Sequence, residues 1–136
     1  MTELPSLIGN LKNLEKLDLS SNELTKWSNE IGNLVNLTYL KFNNNKLTES
    51  PKDIGNLLNI PILELDYNKL TELPKVIRNL INLKVINAKY NHLTKWPKGI
   101  GNLINLKYLN LYRNRLTELP KEIENLINLK KINSLL

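Results

Sequence analysis

Residues 106–114 read Leu-Lys-Tyr-Leu-Asn-Leu-Tyr-Arg-Asn, with leucine at the first, fourth and sixth places and asparagine at the ninth. The same spacing returns every 23 residues along the chain, without an insertion. A fixed period of about 20 to 50 residues is typical of solenoids, in which stacked units bury one continuous core. We therefore predict a single domain, 1–136, of six repeats, and number the positions within each repeat from 1. The repeats are 1–23, 24–46, 47–69, 70–92, 93–115 and 116–136.

Each repeat carries the signals of two short elements. Positions 17 and 19 are apolar between polar neighbours in most repeats, which predicts a strand with one buried face. Apolar residues at positions 8, 11 and 14 step by three and predict a helical or 3-10 turn facing the same core. We expect the proline of position 5 in the first turn of that segment and the glycine of position 9 at a left-handed exit. Trp27 and Trp96, at the apolar position 4, are predicted to pack in the core.

The nine residues 106–114 match the signature L-x-x-L-x-L-x-x-N of the leucine-rich repeat. The 23-residue unit resembles the class found in bacterial surface and effector proteins, and is similar to the Ras-group leucine-rich repeats of the eukaryotic cytosol. This resemblance implies an α/β solenoid, an arc with short parallel strands on the concave face and short helical or 3-10 turns on the convex face. It also implies that ligands bind the concave face and that no residue is catalytic. The asparagines of position 22 resemble the buried ladder of that family: Asn22, Asn45, Asn68, Asn91 and Asn114.

If positions 17 and 19 face the core, positions 15, 16, 18, 20 and 21 face the concave side. All five tyrosines of the chain occupy these positions. Position 16 forms an apolar stripe that begins and ends with lysine: Lys16, Tyr39, Ile62, Val85, Tyr108 and Lys131. An exposed tyrosine-rich patch with a polar rim is the composition of a protein-binding hot spot. The alternative interpretation is that tyrosine simply favours exposed sheet faces.

Charge divides the same face into two halves. The first three repeats place two lysines and four carboxylates there, and the last three place six cations and no carboxylate. A partner that is acidic opposite the C-terminal half would be steered into register. The predicted partner-binding residues are Tyr39, Ile62, Tyr67, Val85, Tyr90, Tyr108, Tyr112 and Arg113, with Lys84, Lys89 and Lys107 steering.

The leading prediction is therefore a module that binds another protein on its concave face, as in bacterial surface or host-interaction proteins. A second hypothesis is a polyanion binder for nucleic acid or an acidic glycan, using the lysines and tyrosine stacking. Mixed charge and the absence of a basic run favour a protein over a nucleic acid. A third is a structural spacer within a longer protein.

Self-association is a further hypothesis, either through terminal repeats that lack capping features or through an apolar row at position 12: Val35, Leu58, Ile81, Ile104 and Ile127. Packing between coils is the simpler interpretation of that row.

Enzyme chemistry has little support in the sequence. Cysteine is absent, and the only histidine, His92, lies in a predicted loop, so neither a thiolate site nor a histidine pair can form. Acidic residues lack metal-ligand spacing, and no phosphate-binding glycine loop is present. We therefore predict no catalytic residue, metal or cofactor.

No apolar run is long enough to span a bilayer and no signal peptide is visible, and both the cell surface and the cytoplasm stay open as compartments.

Overall fold

The computed structural model describes residues 1–134, which form six stacked coils, each with a 3-10 helix followed by a three-residue strand. The 3-10 helices η1 to η6 span Ser6–Asn10, Asn29–Asn33, Lys52–Asn56, Lys75–Asn79, Lys98–Asn102 and Lys121–Asn125. The strands β1 to β6 span Lys16–Asp18, Tyr39–Lys41, Ile62–Glu64, Val85–Asn87, Tyr108–Asn110 and Lys131–Asn133. The predicted α/β solenoid with 3-10 turns is confirmed. The last two residues of the sixth predicted repeat lie outside the described residues.

The strands form one parallel sheet whose order follows the sequence. The pairing keeps each residue opposite its counterpart 23 positions away, so that Ile62 pairs with Val85, Val85 with Tyr108, and Tyr108 with Lys131. Each repeat position therefore becomes a row with one residue per coil. This register places the position-16 side chains side by side across the sheet.

The core consists of the repeating apolar positions, as the sequence predicts. In coil 2, for example, the five side chains at positions 8, 11, 14, 17 and 19 are at most 1% exposed: Ile31, Leu34, Leu37, Leu40 and Phe42. Both tryptophans join this core, because Trp96 is buried and Trp27 is half-buried with its ring centroid 3.8 Å from that of Phe42. Burial of this kind supplies most of the free energy that holds the coils together.

Two rows of asparagine side chains join neighbouring coils. In the buried row, Asn68 accepts the backbone N–H of Leu47 at 3.0 Å and donates to the carbonyls of Phe42 at 3.0 Å and Leu65 at 3.1 Å. Asn45, Asn91 and Asn114 make equivalent bonds, as the resemblance implies. Asn22, in the first coil, donates only to carbonyls of its own coil, those of Leu19 and Ser20. A second row, at position 13, donates from the surface to the position-12 carbonyl of the preceding coil at 2.7 to 3.1 Å: Asn36, Asn59, Asn82, Asn105 and Asn128.

The proline of position 5 lies one residue earlier than predicted. Pro74 is extended, with φ −66° and ψ 146°, and immediately precedes η4 instead of occupying its first turn. Its carbonyl accepts the N–H of Ile77 at 3.1 Å, which begins the 3-10 helix. Ser28 takes the same extended place before η2 in the one coil without a proline.

The prediction of a left-handed exit at the position-9 glycines is wrong, because no glycine in residues 1–134 has a positive φ. These glycines instead allow neighbouring coils to approach closely. A Cβ added to Gly32 would lie 2.5 Å from Cβ of Asp53, which occupies position 7 of the next coil. Coils 4 and 5 reverse this arrangement, since Arg78 occupies position 9 and Gly99 position 7, where an added Cβ would lie 2.6 Å from Cβ of Arg78. Each of the five coil contacts thus has a glycine on one side.

The apolar row at position 12 remains an open surface. Val35, Leu58, Ile81 and Ile104 are 48–52% exposed and Ile127 is 84% exposed. Packing between coils, the interpretation favoured by the sequence, therefore covers only about half of most of these side chains.

Candidate functional site

The structure divides the predicted binding residues into two neighbouring groups. The first, which we call the concave stripe, consists of Tyr39, Ile62, Val85 and Tyr108 at the start of β2 to β5. Strand pairing places Lys16 beside Tyr39 at one end and Lys131 beside Tyr108 at the other. Ile62 and Tyr108 are exposed, whereas Tyr39 and Val85 are half-buried. The stripe is thus a partly solvated apolar row between two lysines.

The second group, which we call the tyrosine cluster, follows the ends of β3, β4 and β5. Tyr67 and Tyr90 stack with ring centroids 4.6 Å apart and planes 9° from parallel, and Tyr112 meets Tyr90 edge-on at 5.9 Å. The three rings line an open depression of about 560 Å³, together with Lys89 and Asn110 among others. Of the ring pairs found in residues 1–134, none connects Tyr39 or Tyr108 with this cluster.

Cations lie against the tyrosine rings. The ammonium of Lys89 is 5.4 Å from the ring centroid of Tyr67, and the guanidinium of Arg113 is 5.3 Å from that of Tyr112. Both distances are within the range of cation–π attraction. A hydrogen bond with the Tyr112 side chain is the main cause that raises the pKa of Arg113 above its usual value. Lys84 and Lys107, the remaining predicted steering residues, directly precede β4 and β5 and flank the stripe.

The backbone of the cluster has an unusual conformation that the repeat pattern does not reveal. Position 21 is left-handed in all five coils where it is described, with φ between 52° and 57°. Coils 1 and 2 fill it with Ser21 and Asn44, whereas coils 3 to 5 place Tyr67, Tyr90 and Arg113 there. Asparagine tolerates this region, but a bulky side chain in it is an outlier that costs about 1 to 2 kcal/mol. The only feature of the sequence that indicated a left-handed backbone at position 21 was the small polar residue there in the first two coils, Ser21 and Asn44.

Asp66, which the sequence places on the concave face, is buried in the structure. Asp66 is only 6% exposed, and burial raises the pKa of its carboxyl group. The ion pairs of residues 1–134 do not include Asp66, and the opposing effect of the Lys89 and Lys41 charges on its pKa is smaller than the effect of burial. The N-terminal half of the face therefore presents less negative charge than the sequence suggested.

Other chemistry is sparse in the described part of the chain. His92 is half-buried after β4, and residues 1–134 contain no group of three or more histidine, cysteine, aspartate or glutamate side chains placed to hold a metal ion. Among the same residues, no helix has the length and apolarity needed to cross a membrane.

Comparison with known proteins yields matches over the whole chain. A family model described as a leucine-rich repeat region matches residues 25–106, and one described as a leucine-rich repeat matches residues 13–34 and 105–126. No curated protein sequence matches the chain. A solved leucine-rich-repeat protein of Leptospira interrogans is 42% identical, with a TM-score of 0.91, over 98% of this chain and 34% of its own.

Two further structures extend the comparison. The leucine-rich-repeat ectodomain of a membrane receptor kinase from Arabidopsis thaliana, in complex with Casparian strip integrity factor 2, is 29% identical with a TM-score of 0.86, over 98% of this chain and 17% of its own. An internalin of Listeria monocytogenes shares the fold, with 22% identity and a TM-score of 0.81, over 96% of this chain and 37% of its own. The present sequence therefore spans between 17% and 37% of the length of these three chains.

Proposed function

Since this chain belongs to the leucine-rich-repeat family, we propose that it binds a protein partner on the surface formed by the concave stripe and the tyrosine cluster. The leucine-rich-repeat fold is a common protein–protein interaction module, and such repeats are typically non-enzymatic binding scaffolds. We extend both statements to this chain, with no catalytic role. We include in the same proposal the bacterial surface or host-interaction role that the class of 23-residue repeat implies.

The observation that carries this proposal is the left-handed backbone of Tyr67 and Tyr90. The fold requires a left-handed residue at position 21, and Asn44 meets that requirement with a side chain suited to it. Two tyrosines in the same place cost backbone energy, of which ring stacking returns about 0.5 to 1.5 kcal/mol. Both rings remain about two-fifths exposed, so they do not complete a core. Strain held at an exposed aromatic pair supports selection for binding.

The surface has the chemistry of a protein-binding hot spot. Tyrosine and arginine are enriched at such sites because they combine apolar area with a polar tip. Lys84, Lys89, Lys107 and Arg113 surround the apolar rows on the C-terminal half, with no carboxylate among the concave positions of coils 4 to 6. We therefore expect the partner to present an acidic segment to coils 4 and 5 and an apolar one to the stripe.

The test compares two variants, each with three alanine substitutions. Tyr67→Ala, Tyr90→Ala and Tyr108→Ala remove concave rings that are 39–44% exposed. Leu58→Ala, Ile81→Ala and Ile104→Ala remove side chains of the position-12 row that are 49–52% exposed and serve as the control. Each immobilised chain is exposed to extracts of the source cells and of candidate host cells, and captured proteins are quantified by mass spectrometry. Partner affinity should fall at least about 100-fold in the tyrosine variant and little in the control.

Folding of each variant is checked by urea denaturation before capture. A folded tyrosine variant that captures the same proteins as the unchanged chain would refute the concave surface as the binding site. Repeating capture at low and moderate salt separates the polyanion hypothesis, since affinity for nucleic acid or an acidic glycan should collapse as salt rises. The spacer hypothesis predicts no specific capture by any of the three chains.

A further inference from the structure

A second hollow lies away from the concave surface, where the loops after the strands enter the 3-10 helices. It has a volume of about 600 Å³, lies between coils 4 and 5, and is lined by Glu72, Lys75, Arg78, Lys95, Trp96 and Lys98, among others. We call it the outer hollow. None of its lining residues belongs to the concave stripe or to the tyrosine cluster.

The outer hollow is positively charged, with four cations and one carboxylate. The ion pairs of residues 1–134 join Glu3 with Lys26, Glu23 with Lys46, and Lys41 with Glu64, so none neutralises these four. The equivalent hollows along the same flank provide internal comparisons. The one between coils 2 and 3 has one lysine and one glutamate, and the one between coils 3 and 4 has two of each. The one between coils 5 and 6 has three lysines and two glutamates.

The reversed glycine contact between coils 4 and 5 contributes to the excess positive charge, because it brings Arg78 to the hollow in addition to three lysines. Position 7 carries an acid in coils 2, 3 and 6, at Glu30, Asp53 and Glu122, but Gly99 in coil 5. The missing side chain leaves room for Arg78, whose Cδ would lie 3.3 Å from a Cβ added to Gly99. The exchange thus removes an acid that other coils have and adds an arginine that no other coil has at position 9. Position 7 therefore adds no acid to the outer hollow, whereas Glu122 does so in the hollow between coils 5 and 6.

The two tryptophans differ in whether the indole N–H has a hydrogen-bond partner. Its counterpart in coil 2, Trp27, donates its indole N–H to the backbone carbonyl of Glu49. Trp96 is more than nine-tenths buried, yet its indole nitrogen has no hydrogen-bond partner. An unsatisfied buried donor costs about 1 to 3 kcal/mol, and it lies on a side chain that forms a wall of the cationic hollow.

We propose that the outer hollow binds the sulfate or phosphate ester groups of a small anionic sugar. Arginine forms two parallel hydrogen bonds with such tetrahedral oxyanions, and the lysines add point charges around it. The volume lies within the range of small-ligand sites, about 300 to 1,000 Å³. Leu73 and Pro97 line the same hollow and offer apolar contact to the C–H face of a sugar ring.

The chain contains only two tryptophans, which gives the experiment an internal reference: Trp27 lines the hollow between coils 2 and 3, and Trp96 lines both the outer hollow and the hollow between coils 5 and 6. Arg78 lines the outer hollow and not the one between coils 5 and 6, so the variants described below distinguish these two hollows. The ¹⁵N-labelled chain is titrated with a sulfated heparin-derived tetrasaccharide and, separately, with fructose 1,6-bisphosphate, while the indole N–H resonances of Trp96 and Trp27 are followed. A chemically desulfated tetrasaccharide is the neutral control. We expect the Trp96 resonance to move with saturation and the Trp27 resonance to stay in place. The ligand with the lower Kd identifies the preferred ester.

Two variants with the same charge change test the assignment. Arg78→Gln should weaken binding at least about 5-fold, whereas Lys52→Gln, which removes one cation from the balanced hollow between coils 3 and 4, should change it less than about 2-fold. The pair Arg78→Gly with Gly99→Glu restores the glycine–acid contact of other coils and should abolish binding while retaining the fold. Equal shifts of both indole resonances, equal losses in the two glutamine variants, or no saturable shift with either sugar would overturn the proposal.

Discussion

Each contact between neighbouring coils has a glycine on one side, and a substitution of Gly99 tests whether that glycine is needed for the coils to stack. A methyl group added there would lie 2.6 Å from Cβ of Arg78 and 3.3 Å from its Cδ, and its three nearest neighbours all belong to that one side chain. At Gly32, by contrast, the backbone carbonyl of Asp53 would also lie only 2.7 Å away. The Gly99 clash can therefore be removed by a single second substitution.

The expected energies follow from this geometry. A carbon–carbon contact at 2.6 Å is about 1 Å too short, so Gly99→Ala should lower the free energy of unfolding by about 2 kcal/mol. Arg78→Gly alone should lower it by about 1 kcal/mol, because glycine is more flexible in the unfolded chain. In the double variant the clash is absent and alanine is compatible with the backbone of residue 99, since no described glycine has a positive φ. The double variant should therefore lose about 1 kcal/mol or less, some 2 kcal/mol less than the sum of the two single effects.

The four chains are compared by urea denaturation at neutral pH, followed by tryptophan fluorescence and by circular dichroism. The two probes must give the same midpoint and the same dependence on urea, because a repeat array can otherwise unfold in parts. Single-variant losses that add within about 0.5 kcal/mol in the double variant would refute the view that one glycine per contact is what permits the coils to stack.

Three further results are expected from the same denaturation assay. Asn68→Ala leaves the buried N–H of Leu47 without a partner and removes one of the two asparagine donors from the carbonyls of Phe42 and Leu65, so it should cost about 2 to 4 kcal/mol. Asn59→Ala, which loses one exposed bond, should cost less than about 1 kcal/mol, and equal costs would contradict the ladder as the stronger connection. Ser50→Ala removes a buried hydroxyl that has no partner and should raise the free energy of unfolding by about 1 kcal/mol, so a loss of stability would show that the hydroxyl is satisfied. Burial raises the pKa of Asp66 in the folded chain, so its contribution to stability falls as pH rises from the ordinary aspartate pKa through the raised value. Asp66→Asn should therefore raise the urea midpoint at pH 7 and leave it nearly unchanged at pH 3, and a variant equally affected at both pH values would rule out this cause.

The fold was predictable because its determinants repeat. Six copies of one spacing specify strand, turn and core position, and an error in one copy is corrected by the other five. The local details were not predictable, because they depend on contacts between coils. Gly32 and Gly55 look like helix-ending glycines when read along the chain, yet their role is set by Asp53 and Val76 in the next coil. The repeat period alone does not show which residues of neighbouring coils contact each other.

The candidate site was only partly predictable for a similar reason. Position within the repeat correctly indicated a row that includes Ile62 and Tyr108, because strand register follows directly from the period. It gave no warning that the remaining tyrosines would stack with one another beyond the strand ends, or that position 21 would be left-handed. Likewise, Asp66 counted as a surface charge in the sequence but is covered in the fold. Side-chain direction after a strand depends on backbone torsions that apolar periodicity does not encode.

The unbroken pairing register has a consequence for how such a protein can change. Because every coil contributes one residue to each row, gain or loss of a whole 23-residue unit within the gene would lengthen or shorten the sheet by one strand spacing, about 4.8 Å, without altering any other coil. A duplication out of phase by even one codon would instead turn core leucines toward solvent. Unequal recombination between in-phase copies therefore offers such chains a route to new ligand lengths in which each intermediate still folds.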